Sequence, residues 1–358
     1  MFKHSHLIIL SLLMLLASSC KVEFSPNAEW RNVPVVYCIL DPEEDTVWAR
    51  VQRCYLGEDN LYNYSSIADS NYYLPDDIKV VLLAWKSQPG ANHSLQPTNV
   101  LADRWELDYT LREGKPDGAF PTGPQPIYYC VPGRKLYSDS NCVFQLLVLN
   151  TATGDTLAQS TTTMVGFYPP AIHGRDTSEN ILIDPNTTKG HEFGYYIGCR
   201  GKITLNAIPR GRIYQTVLTF YYRKNHDTLS IDIEGTPFKN QHNRASLIDG
   251  SITQERFLST IRNHLAANGD SLFNVNNVDI HILVGNEDLN AYMSSQNGSL
   301  VSGQEFNTYT NIEGGLGIFA SRRSHICVNV PCDSVGKKGY IPDQLVNLGV
   351  GFYGNFAQ

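Results

Sequence analysis

The side chains that most often carry catalysis or bind metals, those of histidine and cysteine, are dispersed along this chain. His191 and Glu192 begin like the zinc-protease motif, but Tyr195 stands where the second histidine ligand belongs. No pair of histidines has the spacing of metal ligands on one helix or strand, and no CxxC occurs. We therefore expect structural histidines and no metal site. The histidines in question are His93, His173, His191, His226, His242, His264, His281 and His325.

Other catalytic signatures are also missing from the sequence. There is no Gly-x-Ser-x-Gly nucleophile elbow and no phosphate-binding loop. Two carboxylates about 5–10 Å apart could still hydrolyse glycosides, but sequence alone does not reveal such a spacing. The tryptophans could stack sugar rings, although packing is the interpretation we favour, and Trp48 alone lies on the outward face of a patterned strand. The sequence predicts no catalytic residue and no cofactor.

A glycine-rich segment, Asn311–Ser321, stands out near the C-terminus. It does not fit the dinucleotide-binding fingerprint, and its glycines permit backbone shapes or close approaches that a Cβ would block. We interpret the segment as a structural turn packed on the core of the second domain. Glu313 is its one candidate for chemistry, and a carboxylate bonded to local amides is the role we expect. The structural signature consists of Asn311, Gly314, Gly315, Gly317 and Phe319.

The first twenty residues predict an address outside the cytoplasm. Lys3 precedes the apolar run Leu7–Leu16, and small residues lead to Cys20. The run is too short to remain as a membrane span. A cysteine at the cut resembles the bacterial lipoprotein signal, in which the thiol is acylated, although an ordinary secretory signal with a chance cysteine is the alternative. We expect acylated Cys20 to anchor the chain to a membrane.

Composition narrows the class of protein further. Charged residues make up 18% and aromatic residues 11%, a balance typical of extracellular β-rich proteins. The net charge of −7 argues against a nucleic-acid partner, which needs clustered Lys and Arg. In an oxidising compartment the cysteines could form disulfides, whose connectivity sequence leaves open. The pairs nearest in sequence are Cys38/Cys54, Cys130/Cys142 and Cys327/Cys332.

Alternating apolar and polar residues predict a mainly β protein. Short strands separated by Pro, Gly and Asn favour an N-terminal immunoglobulin- or fibronectin-like β-sandwich followed by a β-rich α+β domain. Ser251 and Gln254 fit a capping box at the start of a helix. The predicted elements include strands Val33–Leu40, Thr46–Leu56, Ile78–Trp85 and Arg104–Leu111, hairpins Cys142–Leu149/Thr156–Val165 and Ile213–Tyr222/Leu229–Ile233, strand Val278–Val284, and a short helix Glu287–Met293.

These elements suggest a division of the chain into five parts. A Pro-rich stretch with few apolar residues separates the two strand-rich halves and is typical of a connection between domains. The predicted parts are a signal peptide over 1–19, a lipidated tether over 20–32, a β-sandwich over 33–165, a linker over 166–190 and the α+β domain over 191–358.

Three stretches resemble one family of Bacteroidota outer-membrane lipoproteins, a domain of unknown function. Val35–Gly57 (VVYCILDPEEDTVWARVQRCYLG) is similar to the family's first strand pair, with Cys38 in place of the usual glycine. Cys142–Val165 resembles its strand, Thr-Gly turn and Thr-rich strand. Thr310–Arg322 (TNIEGGLGIFASR) resembles its signature near the C-terminus. The resemblance implies an outer-membrane lipoprotein, often surface-exposed, that serves with outer-membrane barrels or as a binding module.

A repeated triplet agrees with that lineage. Aspartate, then Ser or Thr, then an aliphatic residue occurs five times and resembles the O-glycan acceptor motif of the same bacterial group. The alternative is that Asp-Thr is a common exit from a turn into a strand. The candidate O-glycosylation sites are Thr46, Thr156, Thr228, Ser271 and Ser334.

The sequence thus supports two functional hypotheses. The first is a non-catalytic binding or scaffold subunit beside an outer-membrane β-barrel protein or complex, held on the outer membrane and facing the cell surface, with the periplasmic face as the other possibility. The second is a surface protein that binds or degrades carbohydrate. An aromatic patch on one sheet face without a cleft would favour the first, whereas aromatics beside a cleft with two carboxylates would favour the second.

Overall fold

The computed structural model describes residues 32–54, 71–90, 94–113, 124–133, 136, 141–166, 181–183, 193, 195, 201–241, 244, 246–265, 272–297, 309–332 and 341–355. Strands account for 58% and helices for 13% of the structure, so the protein is mainly β and sandwich-like, as the residue pattern predicts. The immunoglobulin- or fibronectin-like topology stays a prediction. The signal peptide, Cys20 and nearly all of the tether and linker lie outside the described residues.

Sixteen strands and three helices follow one another along the described chain. The strands are β1 (Pro34–Leu40), β2 (Val47–Arg53), β3 (Ile78–Pro89), β4 (Leu95–Arg112), β5 (Gln125–Cys130), β6 (Val143–Asn150), β7 (Thr156–Thr163), β8 (Ile181–Ile183), β9 (Ile203–Asn206), β10 (Ile213–Lys224), β11 (Asp227–Glu234), β12 (Phe238–Lys239), β13 (Ser246–Asp249), β14 (Leu272–Gly285), β15 (Leu316–Pro331) and β16 (Phe352–Asn355). The helices are α1 (Gln254–Leu265), α2 (Glu287–Asn297) and α3 (Ile341–Asn347).

One large mixed sheet runs through both halves of the chain. Its strand order is β11-β10-β14-β15-β1-β2-β5-β4-β3-β6-β7, with β12 beside β10 and β16 beside β14. A separate three-stranded sheet has the order β13-β9-β8. The long β4 pairs with β3 over its first part and with β5 over its last five residues. This change of partner lets the first half fold into two facing layers around a common core.

Strand β15 belongs to both halves of the molecule. Leu316–Ser321 pairs in parallel with Val35–Leu40 of β1. From Arg322 onward the same strand pairs antiparallel with β14. A strand from the predicted second domain, 191–358, therefore pairs with a strand of the predicted first domain, 33–165. The extent of each domain stays a prediction.

The residues just before β15 also close the first half on its other side. Gln159 of β7 and Glu313 exchange backbone hydrogen bonds of 3.0 and 2.8 Å. The segment leading into β15 thus lies between β1 and β7, which removes an open sheet edge. Gly317 has a φ of +105°, and a Cβ placed there would lie 2.0 Å from the carbonyl oxygen of Val36. Only glycine allows β15 to approach β1 this closely.

The hydrophobic core has two parts that meet at the end of β7. Met164 belongs to the cluster of the first half, whereas the next residue, Val165, belongs to that of the second half. Ile312 and Phe319 pack into the first cluster. The expectation that the glycine-rich segment packs on the second domain's core is therefore wrong. Parallel pairing with β1 places these side chains on the first core instead.

The second half confirms the predicted hairpin and both predicted helices. Strands β10 and β11 pair from Val217↔Glu234 to Lys224↔Asp227, and α1 buries Phe257, Ile261 and Leu265. The predicted capping box at Ser251 and Gln254 is wrong, because Thr253 caps the helix. Its hydroxyl accepts the Arg256 N–H at 3.2 Å, and its carbonyl accepts the Phe257 N–H at 2.9 Å.

The cysteine pair nearest the N-terminus is not a disulfide. Cys38 lies opposite Ala49, whereas the Cys54 N–H donates to the Val33 carbonyl at the far end of β1. Five residues of extended strand separate the two positions by roughly 16 Å, too far for a bridge. Burial raises the pKa of the Cys38 thiol, which makes it unreactive.

Candidate functional site

The outward side of the first-half sheet carries a group of neighbouring aromatic and arginine side chains. Alternation along β2 buries Val47, Ala49 and Val51 and turns Trp48 and Arg50 outward, as the residue pattern predicts for Trp48. Neighbouring strands and α2 add further rings and a second guanidinium. We call this surface the aromatic–arginine face, and it consists of Tyr37, Trp48, Arg50, Arg112, Tyr129 and Tyr292.

Its centre is a stack of three side chains from three strands. Trp48 lies directly opposite Tyr129 in the ladder, and their ring centroids are 5.4 Å apart at an angle of 33°. The Arg112 guanidinium lies 4.5 Å from the centroid of the Trp48 ring. A cation over an indole face is held by the ring's negative π surface. The stack therefore restrains Arg112 although the residue is exposed.

The face extends across β1 to helix α2. Tyr37 is 39% exposed, and its ring meets that of Tyr292 edge-on, with centroids 6.4 Å apart. Tyr37 also lies opposite Arg50 in the ladder between β1 and β2. Partial burial, and after it the nearby Tyr292, raises the pKa of Tyr37.

One cavity whose lining includes two neighbouring aspartates lies away from these rings. It has a volume of about 210 Å³ at the other end of β2 and is lined by Arg53, Asp76 and Asp77. The Asp77 carboxylate accepts the Leu74 N–H at 3.2 Å. Trp48 is five strand residues, roughly 16 Å, from Arg53. The aromatic row and this pair of acids therefore do not form one cleft.

A second exposed surface lies on the same side of the large sheet, in the second half. Leu283 of β14 is 39% exposed, and Ile326 and Val328 of β15 are 45% and 63% exposed. The ladder register places His281 opposite Ile326. We call Leu283, Ile326 and Val328 the aliphatic face. These three exposed side chains are all aliphatic, in contrast to the rings of the aromatic–arginine face.

Behind the two faces, the inward side of β15 carries a buried polar junction between the halves. Ser321 is fully buried, and its hydroxyl accepts the Val165 N–H at 2.9 Å while donating to the Thr163 carbonyl at 2.8 Å. Its backbone carbonyl accepts the Asn286 N–H at 3.1 Å. One serine thus joins the end of β7, β15 and the start of α2.

The start of α2 adds a second set of contacts to the junction. The side-chain amide of Asn286 donates to the Thr162 hydroxyl at 2.7 Å, and Thr162 donates to Asp288 at 2.7 Å. Tyr309 donates to the other oxygen of Asp288 at 3.0 Å. Burial and the neighbouring Asp288 carboxylate raise the pKa of Tyr309 to about 12. These bonds satisfy polar groups that packing has removed from water.

Two arginines at the point where β15 changes partner complete the junction. Arg323 is 4% exposed, forms an ion pair with Glu43 at 3.1 Å and donates to the Gly166 carbonyl at 2.6 Å. The more exposed Arg322 donates to Asp41 at 2.9 Å. The acidic turn after β1 is thereby tied to the strand shared by both halves.

The residues of the predicted glycine-rich signature do come together, at the seam between β1, β7 and β15. The Asn311 side chain accepts the Phe319 N–H at 2.9 Å and donates to the Phe319 carbonyl at 2.7 Å. Glu313 accepts a 2.8 Å hydrogen bond from the side-chain amide of Gln159. The Glu313 carboxylate thus has an amide partner, but that amide belongs to Gln159 of the neighbouring strand β7 and not to the turn itself.

The candidate acceptor threonines within the described residues all occur where a turn leads into a strand. Thr46 directly precedes β2, Thr156 is the first residue of β7 and Thr228 is the second residue of β11. Thr156 and Thr228 are exposed. This placement agrees with the turn-exit explanation of the triplet. Ser271 and Ser334 lie outside the described residues.

Neither a metal centre nor a membrane-spanning helix occurs in the described part of the chain. Among these residues, no group of three or more His, Cys, Asp and Glu side chains is placed to bind a metal ion. None of the helices described is long and apolar enough to cross a membrane.

Comparison with known proteins adds no family or function. No family model matches the chain, and no curated protein matches it. A chain of a cytokine receptor complex is similar over 84% of this chain and 98% of its own length, at 10% sequence identity and a TM-score of 0.20. A likeness this weak carries no argument. Fold and faces together define a mainly β protein with two outward surfaces joined through one shared strand.

Proposed function

We propose that this chain is a lipoprotein anchored to the outer membrane through Cys20, where it acts as a non-catalytic binding or scaffold subunit beside an outer-membrane protein complex. The signal ending at Cys20 and the resemblance to Bacteroidota lipoproteins motivate the location. The observation that carries the binding role is the aromatic–arginine face, an exposed sheet surface that does not share a cleft with Asp76 and Asp77. Tyr, Trp and Arg are the residues enriched in protein interfaces and their hot spots.

The junction supports a scaffold role for the same protein. Because β15 pairs with both β1 and β14, the backbone hydrogen bonds of one strand join the two halves. The buried bonds of Ser321, Asn286 and Arg323 favour one relative arrangement of the halves. A fixed arrangement lowers the entropy cost of presenting the aromatic–arginine face to a partner.

Affinity purification of the full-length protein from detergent-solubilised membranes tests the binding role. We expect a β-barrel protein, identified by mass spectrometry, to co-purify with the wild type. Trp48→Ala should reduce its recovery at least tenfold, whereas Ile326→Ser on the aliphatic face should not. Recovery of the lipoprotein alone would contradict the proposal, and loss only with Ile326→Ser would move the contact to the aliphatic face.

The anchor needs its own experiment. Acylation should place the wild-type protein in the detergent phase, since two acyl chains give stable membrane attachment. The Cys20→Ala variant should move to the aqueous phase. A variant that stayed membrane-bound would rule out the lipid anchor. Protease treatment of intact cells would then distinguish the cell surface from the periplasmic face.

A carbohydrate-binding protein is the second candidate, favoured by the outward position of Trp48 beside Tyr129. Sugar stacking needs an open ring face, but Arg112 occupies one side of the indole. Binding of the purified protein to a glycan array, lost in Trp48→Ala, would favour this candidate over the protein partner.

A further inference from the structure

The aromatic–arginine face contains two guanidinium groups with no carboxylate partner among the described residues. Arg50 and Arg112 are both exposed. Other arginines of the described chain do form ion pairs with glutamates. Arg104 lies 3.7 Å from Glu106, and Arg212 lies 2.9 Å from Glu287. In a chain with a net charge of −7, two cations that have no described carboxylate partner thus lie on one surface.

Both guanidiniums are set among aromatic rings rather than among charges. Arg112 stacks over Trp48, and Arg50 lies opposite Tyr37 across the ladder. A stacked guanidinium keeps its N–H groups at the ring's edge, where they can bind a carboxylate in a bidentate manner. Stacking also removes rotamer freedom before binding, which lowers the entropy cost of forming the pair.

The surroundings of the two cations favour a protein ligand over a sugar or a lipid. Half-buried Ile39 and Ile127 share the outward side with the rings, so carboxylates and apolar groups would be bound together. The exposed acid Asp108 lies directly opposite Tyr129 in the ladder between β4 and β5, with β5 between it and Arg50 of β2. This mixture of apolar, aromatic and arginine side chains resembles a protein interface core.

We propose that the aromatic–arginine face binds an acidic segment of a partner protein, with Arg50 and Arg112 each receiving a carboxylate and the Trp48–Tyr129 pair receiving the apolar side chains between them. The inference rests on the proposed binding role and specifies the chemistry of the partner. Its carboxylates replace the water that now solvates the two guanidiniums.

Fluorescence anisotropy with a labelled probe peptide tests this assignment. The probe is an eight-residue peptide of alternating Asp and Leu, and the control peptide carries Asn in place of Asp. The protein is the mature chain with Cys20→Ala, which leaves the face unchanged. We expect the acidic peptide to bind at least tenfold more tightly than the Asn peptide, and less tightly at high salt.

Two variants and a matched control locate the site. Arg50→Gln and Arg112→Gln should each weaken binding of the acidic peptide about tenfold, since each removes one charge-assisted pair. Arg104→Gln, an exposed arginine on the other layer, should leave binding unchanged. Equal binding by all three variants, or no preference for the acidic peptide, would overturn the proposal.

Two further ligands separate the peptide from other anions. Polygalacturonate presents sugar carboxylates, and vesicles of phosphatidylglycerol present lipid phosphates. Binding to either that requires Arg50 and Arg112, without binding of the peptide, would assign the face to a glycan or a membrane instead. If the peptide fails while Trp48-dependent co-purification of a barrel protein persists, the binding role stands and only the acidic chemistry is wrong.

Discussion

The inward and outward sides of the large sheet use arginine in opposite ways. On the inward side, Arg323 is 4% exposed and bonded to Glu43 and to a backbone carbonyl. On the outward side, Arg112 is exposed and stacked on Trp48 without a described carboxylate partner. A charge that is buried must be paired to be tolerated, whereas an exposed charge can stay unpaired at little cost. The inward arginine therefore stabilises the fold, whereas the outward one is the residue to which our proposal assigns a binding role.

The largest loss of stability should come from adding a side chain at Gly317, where β15 lies closest to β1. Gly317→Ala should lower the free energy of unfolding by about 3 kcal/mol, because the new Cβ meets the Val36 carbonyl and the backbone has positive φ. Gly154→Ala is the matched control, with a φ of +77° but open space around the Cβ. It should cost about 1 kcal/mol. If both variants lost the same free energy of unfolding in urea, the close contact between β15 and β1 would not limit which residue fits at position 317.

Neighbouring arginines of β15 provide the next contrast. Arg323→Ala should lower the free energy of unfolding by about 2–3 kcal/mol, because it leaves Glu43 and the Gly166 carbonyl without a buried partner. Arg322→Ala removes an arginine whose side chain is 53% exposed and should cost less than about 1 kcal/mol. Chemical denaturation of both variants measures the difference. If Arg322→Ala lost more unfolding free energy than Arg323→Ala, then Arg322, not Arg323, would be the arginine that stabilises the fold.

Local patterns and long-range pairings differ in how far sequence reveals them. Period-two alternation predicts the outward position of Trp48 and the hairpin of β10 and β11, because each depends on neighbouring residues. The junction depends on contacts such as Arg322 with Asp41, which are 281 positions apart. Ser321 and Asn286 look like ordinary strand and turn residues in the sequence. Only the parallel pairing of β15 with β1 brings such residues together.

The stack of Arg112 on Trp48 escapes sequence reasoning for a related reason. The stack requires that β5 lie between β2 and β4 in the sheet, whereas along the chain β5 comes after both of them. The wrong capping box shows the same dependence on packing. Ile252 is 1% exposed in the second core, and the helix starts only after Thr253, whose hydroxyl accepts the Arg256 N–H.

A smaller, pH-dependent effect is expected from the junction tyrosine. The folded pKa of Tyr309 is raised to about 12 from an ordinary value of 10.0, so the folded state keeps a proton that the unfolded state loses. Its contribution to stability is full below about pH 10 and is lost as the pH rises towards 12. Tyr309→Phe should cost about 1 kcal/mol at pH 7 and should lose less stability between pH 10 and 12. The urea midpoints of the wild type and of Tyr309→Phe measure the loss of stability as the pH rises. If both midpoints fell equally between pH 10 and 12, this prediction would be wrong.

The smallest stability effect should come from the outward arginine. Arg112→Gln should change the free energy of unfolding by less than about 0.5–1 kcal/mol, the value of an exposed cation–π contact. Thermal unfolding of the variant beside Arg323→Ala measures this directly. A loss as large as that of Arg323→Ala would mean that the outward stack, too, holds the fold.

Hydroxyl-radical footprinting of the co-purified complex tests most directly whether the outward face is the binding surface. Oxidation of Trp48, Tyr37 and Tyr129 should fall severalfold in the complex relative to the lipoprotein alone, because the partner covers their rings. Oxidation of Leu283 and Ile326 on the aliphatic face should stay unchanged. Protection of Leu283 and Ile326, with Trp48 and Tyr129 as reactive as before, would contradict the assignment.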